Sequence, residues 1–146
     1  ISDAHRNFLL SRYRRPQPRT LLGPELIGHV NAAIDISDGL IADLGHICAT
    51  SKVGADIHIA AVPLSLEAQS ITSKQPNYID TVLGGGDDYE LLFTADSAFE
   101  IASKGIGERA NVGLTKIGTI NDSKLIRIFK ENGDEHSLSQ IGYSHF

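Results

Sequence analysis

Hydrophobic and polar positions divide the chain into segments with two different periods. The apolar residues that follow Gly39 share one face of a helix: Leu40, Ile41, Leu44, Ile47 and Cys48. The stretch AAIDIS at 32–37 is instead apolar almost without alternation, which predicts a strand buried on both faces. Two more strands are predicted at 55–62 and 89–96. The chain therefore mixes helices with short strands.

The remaining segments complete an alternating order. Helices are predicted over 2–12, from Pro24 onwards, over most of 64–82 with a break near Pro76, and over 97–110. Two strands at 114–120 and 125–130 follow, joined by the turn residues Asn-Asp-Ser. The order α–β–α–β–α–β–α–β–β predicts an α+β fold, an α/β sandwich in which helices flank a mixed β-sheet. Some strands are joined through helices, whereas a short turn joins the last pair.

Composition narrows the classes of function. The chain has 146 residues, is 41% hydrophobic and carries a net charge of -5, which predicts one domain, residues 1–146, with one core. This acidity does not favour nucleic-acid binding, and the one basic cluster, RYRRPQPR at 12–19, is either a solvated helix end and loop or a phosphate-binding patch. No apolar run approaches the ~20 residues that span a membrane.

The single cysteine, Cys48, excludes an internal disulfide and favours a reducing, cytoplasmic location. The sequence begins at Ile1 and contains no methionine, so we expect a processed chain or a fragment.

The first candidate site is IDISDGLIADLG at 34–45, where a predicted strand passes into a predicted helix. Asp35, Ser37 and Asp38 lie at the carboxyl end of the strand, where open α/β sheets commonly bind ligands. Carboxylates suit Mg²⁺, and a hydroxyl with the backbone amides of the helix start suits a phosphate. Taken by itself, this motif is explained more simply by capping of the helix by Ser37 or Asp38. Capping does not explain Asp35, because an unpaired carboxylate on a buried strand is costly.

The second candidate site is LGGGDDYELLF at 83–93, where three glycines precede two carboxylates and a strand. Consecutive glycines allow the backbone to approach a ligand closely, although a flexible turn with solvated acids is an alternative. The segment is neither a Walker A loop nor a dinucleotide-binding fingerprint. The histidines show no zinc-ligand spacing, and Ser37 lacks the context of a serine hydrolase nucleophile.

Taken together, the two motifs closely resemble the thiamine-monophosphate kinase family. The resemblance is to its carboxyl-terminal domain, which that family shares with the aminoimidazole ribonucleotide synthetase-like superfamily. FLLSRYRRPQPR near the start and GYSHF at the end also look like this family, so the resemblance runs along the whole chain. It implies an enzyme domain that acts with ATP and Mg²⁺ on thiamine monophosphate to form thiamine diphosphate. It also implies that the amino-terminal domain is absent here, that the full enzyme is a cytoplasmic homodimer, and that this chain alone is inactive.

The resemblance also assigns roles to individual residues. It implies Mg²⁺ ligands at Asp35 and Asp38 and an ATP contact at Ser37. Asp87, where the family usually has Glu, is the implied substrate-binding acid, and its shorter side chain favours a water-mediated contact. Tyr143, in the closing GYSHF, would stack on the ring of the substrate. No residue beyond the metal ligands is implied to be catalytic.

Two other functions stay open at this point. The chain would be a ligand-binding or regulatory module without catalysis if the domain acts alone. It would be a superfamily relative that uses ATP on another small substrate if GGGDDYELLF were not specific to the thiamine branch.

Overall fold

The computed structural model describes residues 1–138 and has an α+β fold in which helices flank two small sheets. The elements are α1 (Asp3–Arg14), α2 (Leu22–Leu26), β1 (Ala32–Asp35), α3 (Leu40–Ser51), β2 (Gly54–His58), a 3₁₀ turn (Ile59–Ala61), α4 (Leu66–Thr72), α5 (Tyr78–Gly84), β3 (Leu91–Thr94), α6 (Phe99–Ala110), β4 (Gly118–Asn121) and β5 (Ile126–Phe129). The predicted fold class and the break near Pro76 are confirmed. No helix within residues 1–138 is long and apolar enough to cross a membrane.

The strands form two sheets rather than a single one. β1 pairs with β3 in antiparallel fashion, and β2 lies between β4 and β5 in a second sheet. This second sheet is mixed, because β2 is antiparallel to β4 and parallel to β5. The short turn after Asn121 was expected to make neighbours of the last two strands, and that expectation is wrong. Four residues reach up to about 13 Å when extended, enough for the chain to cross over β2 from one edge to the other.

The main hydrophobic core lies around α3. All five apolar residues predicted to share a helix face are buried there, together with residues of β2, β3 and β5. A second, smaller cluster lies between α2 and α6 and centres on Leu22, Leu26 and Ile106. The helical period of the sequence therefore gives the buried face of α3 correctly.

Strand β1 is less buried than its sequence predicts. Its four residues alternate between half-buried and exposed, and Asp35 is exposed. Ala32 and Ile34 pack against the main core, whereas Ala33 and Asp35 point away from it. An antiparallel pair covered on one face alternates in this way, so the expected two-sided burial is wrong.

Candidate functional site

The two candidate motifs lie side by side. Beyond the end of the β1–β3 ladder, the N–H of Ile36 donates to the carbonyl of Glu90 (2.9 Å) and the N–H of Tyr89 donates to the carbonyl of Ile36 (2.8 Å). The N–H of Asp87 then donates to the carbonyl of Ser37 (3.0 Å). These bonds bring Asp87 to the turn that carries Ser37, as the resemblance implied for residues of one site.

Glycines make this close contact of backbones possible. A Cβ atom on Gly86 would lie 2.2 Å from the carbonyl oxygen of Ser37. Gly39 has a φ of +121°, and a Cβ there would lie 2.6 Å from the carbonyl oxygen of Gly84. At both positions the neighbouring atom is backbone, so a larger residue would push the two motifs apart.

Asp43, which the sequence analysis did not single out, organises the turn at the start of α3. Its side chain is 1% exposed, and its Oδ2 accepts the backbone N–H groups of Ser37 (3.0 Å), Asp38 (3.0 Å) and Gly39 (3.2 Å). One signal in the sequence marks this residue. It is an acid three residues after Leu40 on the apolar face of the predicted helix, where a charge needs partners.

Two expectations for this turn are therefore wrong. Neither Ser37 nor Asp38 caps α3. The N-cap position is occupied by Gly39, which makes no side-chain hydrogen bond to the start of the helix. The backbone amides of residues 37–39 are not offered to a phosphate, because they already donate to Asp43. Competition from a buried carboxylate explains both results, since charge-assisted bonds are the stronger ones.

The Asp35 and Asp38 carboxylates remain open to a ligand. Within residues 1–138 neither carboxylate accepts a hydrogen bond, and the nearest ion-pair partner of Asp38 is His46 Nε2 at 3.9 Å. The argument for Asp35 from a buried strand fails, since its side chain is exposed. Exposed carboxylates that keep their lone pairs at one end of a strand still fit Mg²⁺, a hard cation that retains several waters. Asp38, Asp43 and His46 also each offer a ligand atom within 4.8 Å of the others, although one oxygen of Asp43 already holds three N–H groups.

The acidic segment of the second motif has an unusual backbone. Asp87 and Tyr89 have φ values of 68° and 53°, in the left-handed region that few residues other than glycine adopt. The Tyr89 hydroxyl donates to Asp87 Oδ1 (3.2 Å). That hydrogen bond, and then the charge of Asp87, raise the pKa of the Tyr89 phenol, and the charge of Asp35 adds to them. Asp35, Asp87 and Tyr89 therefore share one electrostatic environment.

Asp88, which lies between Asp87 and Tyr89, has a carboxyl group with a raised pKa. Partial burial of its carboxyl, followed by the charges of Glu90 and Asp87, raises its pKa to about 6. The site thus concentrates negative charge, which a bound cation would relieve.

Two arginines of the basic cluster at 12–19 connect to this site. Arg19 donates to both carboxylate oxygens of Glu90, at 2.7 and 2.5 Å, and Arg12 lies 3.6 Å from the same residue. The hydrogen bond to Glu90 is the main cause that raises the pKa of Arg19. These arginines are therefore neither simply solvated nor free for a phosphate; they tie α1 and its following linker to the second motif.

Tyr143 lies outside the described residues, so its place stays a prediction.

Comparison with known proteins supports the resemblance. The family described as AIR synthase related protein, C-terminal domain, matches residues 14–142. Thiamine-monophosphate kinase of Haemophilus influenzae is 42% identical and aligns with 99% of this chain and 44% of its own length. The crystal structure of thiamine-monophosphate kinase from Stenotrophomonas maltophilia superposes with a TM-score of 0.81 at 38% identity, covering 88% of this chain and 40% of that one.

A further solved structure is described as AaThiL complexed with AMPPCP and TMP. It superposes with a TM-score of 0.77 at 30% identity and covers 100% of this chain and 43% of that one. The chain thus spans less than half the length of each of these relatives. From the family match over most of its residues, the chain belongs to the AIR synthase related proteins and contains their C-terminal domain.

Proposed function

We propose that this chain is the carboxyl-terminal domain of a thiamine-monophosphate kinase, which transfers the γ-phosphoryl group of ATP to thiamine monophosphate and forms thiamine diphosphate. The observation that carries the proposal is the contact between the Asp35–Asp38 turn and the Asp87 loop, joined by the 3.0 Å bond from Asp87 to Ser37. Relatives with this name align along the whole chain, and AaThiL was solved with an analogue of ATP and with TMP.

Asp35 and Asp38 are the residues that would hold Mg²⁺. When bound, Mg²⁺ supplies positive charge between two phosphate-bearing molecules, which an acidic domain lacks. Both carboxylates are accessible, and neither is committed to a hydrogen bond within residues 1–138. Their position at the end of β1 places them next to the acidic loop.

The remaining roles fall on side chains that approach the substrates. The Ser37 hydroxyl, which makes no hydrogen bond within residues 1–138, is free to contact the nucleotide. Asp87 is exposed, and it contacts the positively charged side of thiamine monophosphate, either directly or through water. Tyr143, which lies outside the described residues, would stack on the ring of thiamine monophosphate. The acceptor is a phosphate already ionised at neutral pH, so these residues need to orient two anions rather than remove a proton.

The complete enzyme would also need an amino-terminal domain. The relatives are more than twice as long as this chain, and we propose that their other half supplies the rest of the nucleotide site. A homodimer and a cytoplasmic location stay predictions.

The test measures formation of thiamine diphosphate from ATP and thiamine monophosphate. We expect no turnover by the chain alone and measurable turnover after addition of the separately expressed amino-terminal half of the Haemophilus influenzae relative. Robust turnover by the chain alone would contradict an incomplete site. If the mixture binds thiamine monophosphate without turnover, the chain is a binding module instead. Turnover of another small substrate by the same mixture would favour a different branch of the superfamily.

A further inference from the structure

Asp43 is an unusual residue for the start of a helix. Among the buried residues in the described part of the chain, it is the only one with a charged side chain, and it forms no ion pair with another described residue. A buried carboxylate without a cation is costly unless hydrogen bonds compensate for lost hydration. Here the compensation comes from three consecutive backbone N–H groups on a single oxygen.

These three bonds fix the backbone of the turn. The amides of Ser37, Asp38 and Gly39 all converge on Asp43, while the side chains of Ser37 and Asp38 remain half-buried at the protein surface. Gly39 completes the turn at a φ of +121° that other residues rarely adopt. The directions in which Ser37 and Asp38 project therefore depend on Asp43, which comes later in the chain.

We propose that Asp43 is a positioning residue that holds Asp38 and Ser37 in the orientation needed to bind the metal ion and the nucleotide. This inference rests on the proposed function. Asp43 acts through the backbone of the turn, and its Oδ2 is engaged by the three amides. A carboxylate suits this task better than a neutral amide, because a charged oxygen accepts several N–H groups more strongly.

The test measures binding of Mn²⁺, a spectroscopic substitute for Mg²⁺, to the 146-residue chain by electron paramagnetic resonance. Asp43→Ala should weaken Mn²⁺ binding by on the order of 10- to 100-fold, the usual effect of removing a group that orients a metal ligand. Asp43→Asn keeps one acceptor oxygen and should fall between Asp43→Ala and the unchanged chain. Leu22→Ala is the matched control, because Leu22 is buried in the separate α2–α6 cluster and its loss should not alter Mn²⁺ affinity.

The outcomes separate this inference from the proposed function. If Asp38→Asn loses Mn²⁺ but Asp43→Ala binds normally, the metal site stands and the positioning role is overturned. If Asp43→Asn loses as much Mn²⁺ affinity as Asp43→Ala while the amides of Ser37 and Asp38 keep their protection from hydrogen exchange, Asp43 acts on the metal directly and the positioning role is overturned. An equal loss in Leu22→Ala would show a stability effect and overturn it too. If neither the unchanged chain nor Asp38→Asn binds Mn²⁺, the metal site itself fails and the inference fails with it.

A second readout applies if Asp43→Ala does not fold. Amide hydrogen exchange of Ser37 and Asp38 is then measured by NMR in Asp43→Asn. Positioning requires faster exchange at these two amides together with weaker Mn²⁺ binding. Unchanged Mn²⁺ binding in a folded Asp43→Asn variant would overturn the proposal.

Discussion

The backbone N–H of Asp87 donates a hydrogen bond to the carbonyl oxygen of Ser37 across 3.0 Å. This bond joins two motifs that are far apart in the sequence, and it places an acidic loop against the turn that carries Asp38. Because both partners are backbone atoms, the contact depends on how closely the two backbone segments can approach each other rather than on particular side chains. The first prediction tests that approach.

Gly86→Ala should destabilise the fold and separate the two motifs. The added Cβ would lie 2.2 Å from the Ser37 carbonyl oxygen, so the backbone must shift, at a cost of about 1–3 kcal/mol in the free energy of unfolding. Gly23→Ala is the control, because no atom lies within 4 Å of a Cβ at Gly23, and alanine favours helix α2. Urea unfolding of both variants measures the difference, and equal stabilities would contradict the close contact.

Asp38→Asn should affect activity far more than stability. The side chain makes no cap bond to α3, so the free energy of unfolding should change by about 0.5 kcal/mol or less. In the mixture with an amino-terminal half, activity should fall on the order of 10²-fold, as when a group that stabilises charge is removed. If the mixture made with Asp38→Asn is about as active at ordinary Mg²⁺ as the mixture made with the unchanged chain, a metal role for Asp38 is contradicted.

Arg19→Gln should destabilise the fold more than Arg109→Gln. The Arg19 side chain is 22% exposed and makes two bonds to Glu90, so its loss should cost about 1–2 kcal/mol. Arg109 is 58% exposed and pairs with Glu25, an exposed pair that contributes about 0–1 kcal/mol. Thermal unfolding of both variants gives the comparison. The reverse order would show that the link from the basic cluster to Glu90 is not a significant restraint.

Asp88 should make the protein less stable as pH rises. Its pKa is about 6 in the fold against 3.8 for the free side chain, so the folded state binds the proton more strongly. Between these values the folded state carries more protons than the unfolded one, and stability therefore falls with increasing pH. Asp88→Asn stays uncharged and should lose this part of the pH dependence. Urea unfolding from pH 4 to pH 7 should show the two curves diverging, and parallel curves would contradict the raised pKa.

Tyr143→Ala should raise the KM for thiamine monophosphate more than the KM for ATP. Stacking on a ring contributes about 1 kcal/mol, or about fivefold in KM, and ATP does not share that contact. Tyr78→Ala is the control, because Tyr78 is an exposed aromatic residue at the start of α5. Steady-state kinetics of the two-part mixture gives both KM values. Equal changes for both substrates would indicate a role in folding instead.

The sequence by itself determined the order of elements, the buried face of α3 and the two acidic motifs. Helices are set by bonds between residues four apart, so the spacing of apolar residues from Leu40 to Cys48 already contains the information needed. The motifs were equally visible, because Asp35, Asp38 and Asp87 occur in short patterns that do not depend on the rest of the fold. Family membership followed from the same short patterns.

Only the tertiary structure decided how the strands pair and what holds the first turn. Strand partners lie far apart in the sequence, so a turn after Asn121 did not reveal that β2 would separate β4 from β5. Likewise, Ser37 and Asp38 are good capping residues, yet the buried carboxylate of Asp43 takes the amides of their own turn. A local preference of about 1 kcal/mol gives way when a buried charge must find partners, and burial is a property of the whole fold.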